Sequence, residues 1–289
     1  MLRDNRIMSQ FTVHGNMRAP ASRIISLAPS ITELLYYLGL GESVVGVTRQ
    51  CDYPEAVKGV ASIGSFLMPE SKSLVELSPD IVVGLSDLHR HVPEAVDSGK
   101  SGVILLNYHS VLGVLGAMEA LASLAGDTEN TLGLVDSLRR RVVALQTRSK
   151  NRRGIKTLFM MHDDPVYTPG RDSFQYDALK IAGAVQMPYN NAQYERIILE
   201  QVVHFNPEVL IACGRHRGEK PRKICPDCQV EQPICQRVVE DIAEKPGWRE
   251  TKAAATGRVV ALPCHWLCRP GPRLVDGMEQ IEKIFLSMK

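Results

Sequence analysis

The pattern of apolar and polar residues predicts strands that alternate with helices along most of the chain. Short apolar runs such as IVVG at 81–84 have the length of buried strands, and helical patterns follow them. The first helix is predicted to start with a capping box, SITE at 30–33, and to end at Gly39. This alternation is typical of a parallel sheet covered by helices on both faces. The predicted strands are 23–27, 44–47, 81–84, 103–106, 157–161, 209–212 and 259–262.

One long helical pattern separates two halves that each show this alternation. Residues 127–150 carry apolar side chains at three- and four-residue steps, with Asp127 as the expected N-cap. A helix of about 24 residues spans roughly 36 Å, which is long enough to link two lobes. The sequence therefore predicts an α/β fold of two Rossmann-like lobes with parallel sheets, joined by one long linking helix. The predicted domains are an N-terminal extension at 1–21, an N-terminal α/β lobe at 22–126, the linking helix at 127–150, and a C-terminal α/β lobe at 151–289 with a cysteine-rich loop at 213–235.

Composition narrows the possible partners and the expected location. The chain has 289 residues, 44% of them hydrophobic, and a net charge of +2, which argues against nucleic acid as an obligatory partner. No apolar run reaches the roughly 18 residues that a membrane span needs. The first twenty residues show no apolar segment of a secretory signal, so we expect a cytoplasmic location with reduced thiols.

Several motifs occur in a fixed order across residues 22–286. They are RIISLAPSITELLYYLG, CDYPEAV and LVELSPDIVVG in the first half, and PVYTPGRDSFQYDALKIAGA, LEQVVHFNPEVLIA, WRETKAAATGRVVALP and RPGPRLVDGMEQI in the second. Together they resemble the helical-backbone class of substrate-binding proteins, which receive cobalamin, ferric siderophores and haem for ABC importers. The likeness is closest to the cobalamin-binding members, whose Asp-Tyr-Pro loop and cleft tryptophan are matched by Asp52-Tyr53-Pro54 and Trp266. The resemblance implies a ligand cleft between the lobes for a corrinoid or another metal chelate.

Importer docking in this family relies on a surface glutamate on each lobe. Glu200 matches the second of these glutamates. Lys72 occupies the position of the first, and Glu70 lies two residues away. This departure weakens the expectation of importer docking.

Six of the seven cysteines follow two strands of the second half. Ligands of open α/β sheets bind beyond the carboxyl ends of the strands, and thiolates suit iron–sulfur clusters and zinc. Basic neighbours such as His216 and Arg217 are expected to lower the thiol pKa values. The irregular C-x2-C-x6-C spacing favours an iron–sulfur cluster, 4Fe–4S or larger, over zinc. The alternative is that Cys213 and Cys264 are small core residues and that the others form a zinc-stapled or disulfide loop. The predicted metal ligands are Cys213, Cys225, Cys228, Cys235, Cys264 and Cys268.

Further candidate residues lie in loops after the predicted strands. Imidazoles there can bind an anion or a metal, and aromatic rings can stack on a flat macrocycle. The segment His162-Asp163-Asp164 is interpreted as a polar turn. Three functions remain open: a binding module for a corrinoid or other metal chelate, an iron–sulfur redox enzyme that uses the same cleft, and an importer receptor for cobalamin or a siderophore. The predicted ligand-binding residues are Cys51, Tyr53, Phe66, His89, His91, His109, His265 and Trp266.

Overall fold

The computed structural model describes residues 11–96, 100–187, 189–221 and 234–288. The fold is α/β with parallel sheets, as the sequence predicts. The chain divides into two compact units: Met1–Tyr108 with Leu112–Arg140, and His109–Val111 with Arg141–Lys289. Within the described ranges, no helix combines the length and apolar character that membrane crossing requires.

The helices and strands follow one another along the whole described chain. The α-helices are α1 Pro29–Tyr37, α2 Ser71–Glu76, α3 Ser86–His89, α4 Val92–Ala95, α5 Val111–Ala122, α6 Thr128–Lys150, α7 Phe174–Ala182, α8 Leu199–Phe205, α9 Val239–Ala243, α10 Lys252–Ala255, α11 Cys264–Leu267 and α12 Arg273–Ser287. The strands are β1 Phe11–Gly15, β2 Ile24–Ser26, β3 Val44–Val47, β4 Ala61–Ser62, β5 Ile81–Leu85, β6 Gly102–Leu106, β7 Ile155–Met160, β8 His162–Asp163, β9 Val166–Pro169, β10 Ala184–Val185, β11 Tyr194–Ile197, β12 Val209–Cys213 and β13 Val259–Leu262.

The first unit is built on a six-stranded sheet in the order β1-β6-β5-β2-β3-β4. Strands β2 to β6 pair in parallel. The apolar runs of β2, β5 and β6 are almost entirely buried, as expected for a sheet covered on both faces, whereas the two-residue edge strand β4 is exposed. Strand β1 is antiparallel to β6, with Val13 opposite Ile104. The sequence placed these residues in an N-terminal extension and did not predict the strand.

The second unit contains two sheets. A parallel sheet has the order β10-β7-β12-β13, and its core includes Leu158, Leu210 and Trp248. A smaller antiparallel sheet has the order β11-β9-β8 and was not predicted. The polar turn predicted at His162-Asp163-Asp164 is only partly correct: His162 and Asp163 form β8, which pairs with β9, and the turn between the two strands lies at Asp164-Pro165.

Two helix starts differ in how well the sequence predicted them. The Oδ1 atom of Asp127 accepts the N–H of Asn130 at 3.1 Å, so the predicted cap of α6 is confirmed. The predicted capping box of α1 is wrong: the N-cap is Ala28, with no side-chain cap bond, and Ser30 and Glu33 are buried inside the helix. Proline suits the first helical position because its φ is fixed near helical values, so the helix begins at Pro29. Helix α6 is divided between the two units after Arg140, and its assignment as a separate linking element stays a prediction.

Candidate functional site

The carboxyl edge of the second unit's parallel sheet brings together cysteines that are distant along the chain. Cys213 ends β12 and lies opposite Leu262, the last residue of β13. Helix α11 starts two residues after β13, and its first residue is Cys264. The Sγ atoms of Cys213 and Cys268 are 3.6 Å apart, well beyond the roughly 2.05 Å of a disulfide bond, so both are thiols.

The short helix α11 places Cys264 and Cys268 on the same side of the chain. The N–H of Cys268 donates to the carbonyl oxygen of Cys264 at 2.7 Å, so the two cysteines are one helical turn apart and lie on the same side. Helix α12 packs closely against α11, since a Cβ at Gly277 would lie 2.5 Å from the carbonyl oxygen of Trp266. The two helices can therefore lie this close only because residue 277 is a glycine.

The chain that leaves β12 returns beside it. The N–H of Arg215 donates to the carbonyl oxygen of Arg237 at 2.8 Å, and the N–H of Val239 donates to that of Arg215 at 3.1 Å. Asp163 anchors the returning segment through ion pairs with Arg237 and with Lys245, the latter at 3.2 Å. This return buries Cys235, whose sulfur accepts from the Nε2 atom of its neighbour Gln236 at 3.7 Å. Cys225 and Cys228 lie outside the described residues.

The basic residues near Cys213 are paired with acids of α9. His216 Nδ1 lies 2.6 Å from Glu240 Oε1, and an Nη2 donor of Arg217 lies 2.7 Å from Asp241 Oδ1. Burial alone would raise the pKa of Glu240, but the hydrogen bonds from His216 and the N–H of Arg217 lower it overall. His216 and Arg217 therefore hold the loop to α9, a role that the sequence did not predict.

The described cysteines do not by themselves build a metal cage. Among residues 11–96, 100–187, 189–221 and 234–288, no group of three or more His, Cys, Asp or Glu side chains is arranged to hold a metal ion. Cys213 and Cys268 form a close pair. The six-cysteine iron–sulfur cluster stays a prediction, because two of its six cysteines lie outside the described part of the chain.

Cys51 belongs to the first unit and has its own polar surroundings. Its sulfur lies 3.1 Å from the hydroxyl of Thr32 and 3.3 Å from that of Thr48. Tyr53, two residues later in the same loop, has 48% of its surface exposed. The predicted loop therefore presents Tyr53 to solvent, while Cys51 contacts threonines of its own unit.

His89 differs most clearly from the sequence expectation. The residue is fully buried, its Nδ1 accepts the N–H of Leu85 at 2.9 Å, and its Nε2 lies 2.8 Å from the carbonyl oxygen of Phe66. Burial lowers the pKa of His89, and nearby His91 lowers it further, against the hydrogen bond to Phe66, which raises it. The neutral ring thus links Leu85, the last residue of β5, to the loop that contains Phe66 (the Phe66 loop). Both nitrogens are engaged, so in this structure His89 presents none to a ligand.

The remaining candidates are partly or fully accessible. His91 is exposed, and His109 is half-buried, with its Nδ1 3.1 Å from the carbonyl oxygen of Asp172 and 3.4 Å from Gln193 Nε2. His265 and Trp266 are half-buried on α11 and meet edge to face, with ring centres 6.0 Å apart. Trp266 therefore lies on the same short helix as Cys264.

Some residues that shape these loops carried no readable signal. Gln50 holds the Phe66 loop by accepting the N–H of Phe66 at 2.8 Å, and Thr32 and Thr48 surround Cys51. Gln50 and Thr32 have partners 16 and 19 residues away, which a periodic pattern cannot show, and the contact of Thr48 with Cys51 depends on the conformation of their shared loop. Arg269 is only 5% exposed. The RPGP motif that contains it was the one feature of the sequence that could have drawn attention to this residue.

Two cavities are lined by none of the predicted metal-binding or ligand-binding residues. One of about 630 Å³ in the second unit is lined by residues that include Lys156, Tyr189 and Glu200. Another of about 470 Å³ in the first unit is lined by residues of α1 and of the start of α6. Neither lining contains a predicted metal-binding or ligand-binding residue, but the first contains Glu200, the predicted docking acid, and the second contains Asp127, the cap of α6.

Comparisons with known proteins agree with the two-unit α/β architecture. The family model described as "Periplasmic binding protein" matches residues 24–264. An uncharacterised ABC transporter substrate-binding lipoprotein of Bacillus subtilis, YvrC, is 26% identical over 267 residues, covering 90% of this chain and 78% of that protein. A vitamin B12-binding protein of Vibrio parahaemolyticus is 23% identical over 276 residues, covering 93% of this chain and 91% of that protein.

Solved structures show the same fold. The periplasmic vitamin B12 binding protein BtuF of Vibrio cholerae superposes with a TM-score of 0.74 at 23% identity, covering 93% of this chain and 98% of that one. The periplasmic heme binding protein HutB of the same organism gives a TM-score of 0.74 at 18% identity, covering 91% and 98%. With the family model matching most of the chain, this protein belongs to the periplasmic binding protein family.

Proposed function

We propose that this substrate-binding protein binds a corrinoid or another metal chelate. The observation that carries the proposal is the likeness, along nearly the whole chain, to vitamin B12-binding proteins in sequence and to BtuF in fold. The likeness to HutB extends the candidate ligands to haem, which is also a planar metal macrocycle. The shared chemical class is therefore a large, flat chelate with a metal at its centre.

The accessible aromatic and imidazole groups support this class. Tyr53 and Trp266 keep part of their rings exposed, and such rings stack on flat conjugated ligands. His91, His109 and His265 are exposed or half-buried and supply imidazoles, which are common ligands of cobalt- and iron-class metals. A planar macrocycle leaves an axial position open, so one imidazole is enough to bind its metal.

We propose that the protein delivers its ligand to an ABC importer, because its relative YvrC is named as an ABC transporter substrate-binding lipoprotein. Glu200 is exposed in the first turn of α8, where the resemblance expects a docking acid. In the first unit, Lys72 forms an exposed pair with Glu76 at 3.5 Å, while Glu70 is exposed and lies 3.9 Å from Arg49. We propose Glu200 and Glu70 as the acids that would contact a transporter.

A titration with three ligands tests the binding proposal. Purified protein is titrated with cyanocobalamin, haemin and a ferric siderophore, with binding read by calorimetry and by tryptophan fluorescence. Trp248 is 5% exposed and Trp266 is half-buried, so quenching is expected to come mainly from Trp266. The Trp266→Phe variant should lose most of the quenching and part of the affinity. Failure of all three ligands to bind at high micromolar concentration would contradict the proposal.

The iron–sulfur cluster is tested separately by anaerobic purification with iron and sulfide analysis. Equal iron and sulfide, with broad visible absorbance, would support it. A colourless protein without sulfide would exclude it, and the proposed chelate binding would stand unaffected.

A further inference from the structure

We propose that Cys213 and Cys268 form a binding site for one thiophilic metal ion that prefers tetrahedral geometry, as zinc does. This site goes beyond chelate binding, because it takes a bare ion rather than a macrocycle. Cys213 is supplied by the end of β12 and Cys268 by the end of α11, and their sulfurs are 3.6 Å apart. Two thiols from separate elements thus lie close together at one edge of the sheet.

The spacing of the sulfurs matches two ligands on the same ion. With zinc–sulfur bonds of about 2.3 Å, sulfurs 3.6 Å apart subtend an angle of roughly 103° at the metal. That angle is close to the tetrahedral value of about 109° and far from the linear arrangement of two-coordinate ions. A disulfide would instead require the sulfurs to approach to about 2.05 Å. The pair is therefore set for metal coordination without large movement.

The same spacing disfavours two other metal centres. A corrin or porphyrin occupies the four equatorial positions of its metal and leaves one open position on each face, so two neighbouring thiolates cannot both bind it. A 4Fe–4S cubane is held by four cysteines, each on a different iron atom, which places the ligand sulfurs farther apart. A single ion with two adjacent open positions fits the pair.

The surroundings hold both sulfurs in place before any metal arrives. Cys213 is 6% exposed at the end of a buried strand. Cys268 follows α11, whose backbone is in close contact with α12 at Gly277. Pre-organised ligands lose little conformational freedom on binding, which favours affinity. The partly exposed Cys268 also gives an ion a way in from solvent.

Metal titration of the reduced full chain tests the proposal. Protein stripped with a chelator is titrated anaerobically with Co²⁺ and Zn²⁺. The two thiols supply two of the four positions, and water is expected to fill the others, because the described residues offer no group of three or more His, Cys, Asp or Glu ligands. We expect one bound ion per chain and a thiolate-to-cobalt charge-transfer band in the near ultraviolet. Cys213→Ser and Cys268→Ser should each lose the band and weaken Zn²⁺ binding at least about tenfold. Removing a residue that only hydrogen-bonds to a metal ligand already lowers metal affinity by about that factor, so removing a ligand should cost at least as much. Glu76→Gln, which removes an exposed carboxylate of the first unit, is the control and should bind the metal like the parent protein.

A measurement on the unaltered protein guards against variants that fail to fold. The thiols are alkylated with and without Zn²⁺, and the labelled peptides are identified by mass spectrometry. Protection of both Cys213 and Cys268 by Zn²⁺ is expected. The proposal is overturned if neither is protected, if the band survives in both variants, or if the metal proves to be iron with equivalent sulfide.

Discussion

At the scale of single residues, Glu208 shows how a buried charge is stabilised in the second unit. Its carboxylate, only 5% exposed, accepts from Arg153 at 2.9 and 3.0 Å and from Lys252 Nζ at 2.8 Å. The pKa of Glu208 is lowered to about 2, chiefly by the hydrogen bonds from Arg153. Those from Lys252 and from the N–H of Lys156 lower it further, whereas burial opposes the shift. The acid therefore joins the segment between α6 and β7, which contains Arg153, to β7 and to Lys252 of α10.

This pKa shift predicts a pH-dependent contribution to stability. The folded-state pKa lies below the unfolded value of 4.5, so the contribution is present above about pH 4.5 and is lost as the pH falls towards 2. Each pKa unit corresponds to about 1.36 kcal/mol, but Arg153 is 70% exposed and solvent screens the pair, so we expect about 1–2 kcal/mol. Urea unfolding of the parent and Glu208→Gln at pH 7 and about pH 3.5 should show a difference that shrinks at the lower pH.

The matched control is Glu76→Gln, which removes the exposed pair with Lys72 and should change stability by less than about 0.5 kcal/mol at either pH. An equal loss for Glu208→Gln at both pH values would contradict the shifted pKa.

Gly277 gives a second residue-scale prediction. In Gly277→Ala the new methyl group would meet the Trp266 carbonyl oxygen at 2.5 Å and its Cβ at 2.7 Å, so α11 must move. We expect a loss of about 1–3 kcal/mol in unfolding free energy and a changed Trp266 emission. Gly133→Ala is the control: nothing lies within 4 Å of the added atom on α6, so it should stabilise by about 0.5–1 kcal/mol. Unchanged stability and emission for Gly277→Ala would show that the two helices are not held this closely.

The residues that could be predicted are those whose position follows from topology. Cys213 ends β12 and Cys264 follows the adjacent parallel strand β13, and their shared edge was expected for that reason. The burial of His89 was not predictable, because it depends on bonds to Leu85 and Phe66 that the loop conformations create. The partners of Cys51 are threonines, one of them on another element, and no local pattern signals them.

At the scale of elements, strong apolar patterns were predicted accurately and weak ones were missed. Strand β13 has the predicted bounds, and α6 begins within one residue of its prediction. Strands β1 and β11 are mostly exposed, so they lack the apolar runs that identify buried strands. Their strand character comes from pairing with β6 and β9, which are distant in sequence.

Deletion of β1 tests the contribution of that unpredicted strand. Without residues 1–15, the backbone groups of β6 that face β1 lose their partners, and β6 becomes an open edge. At about 1 kcal/mol per hydrogen bond, we expect the unfolding free energy to fall by roughly 2–5 kcal/mol, with increased aggregation. Deletion of residues 1–10 keeps the strand and is the control. Equal stability of the two truncated proteins in denaturant unfolding would show that β1 contributes nothing.

At the scale of the whole molecule, two α/β units with parallel sheets carry polar and aromatic loops at the ends of their strands. The family is shown by the match across residues 24–264, whereas the chelate, the metal ion and the predicted cytoplasmic location remain proposals or predictions. The fold was predictable because motif order and apolar periodicity extend over the chain. The ligand was not, since a few loop side chains decide it and the relatives bind different macrocycles.

Native mass spectrometry of the protein with equimolar cyanocobalamin, haemin or a ferric siderophore tests the central claim most directly. We predict a one-to-one complex with at least one of these chelates, reduced in the Trp266→Phe variant. A spectrum that shows only the ligand-free protein with all three, at concentrations where a known family member forms its complex, would contradict the assignment of a metal chelate as substrate.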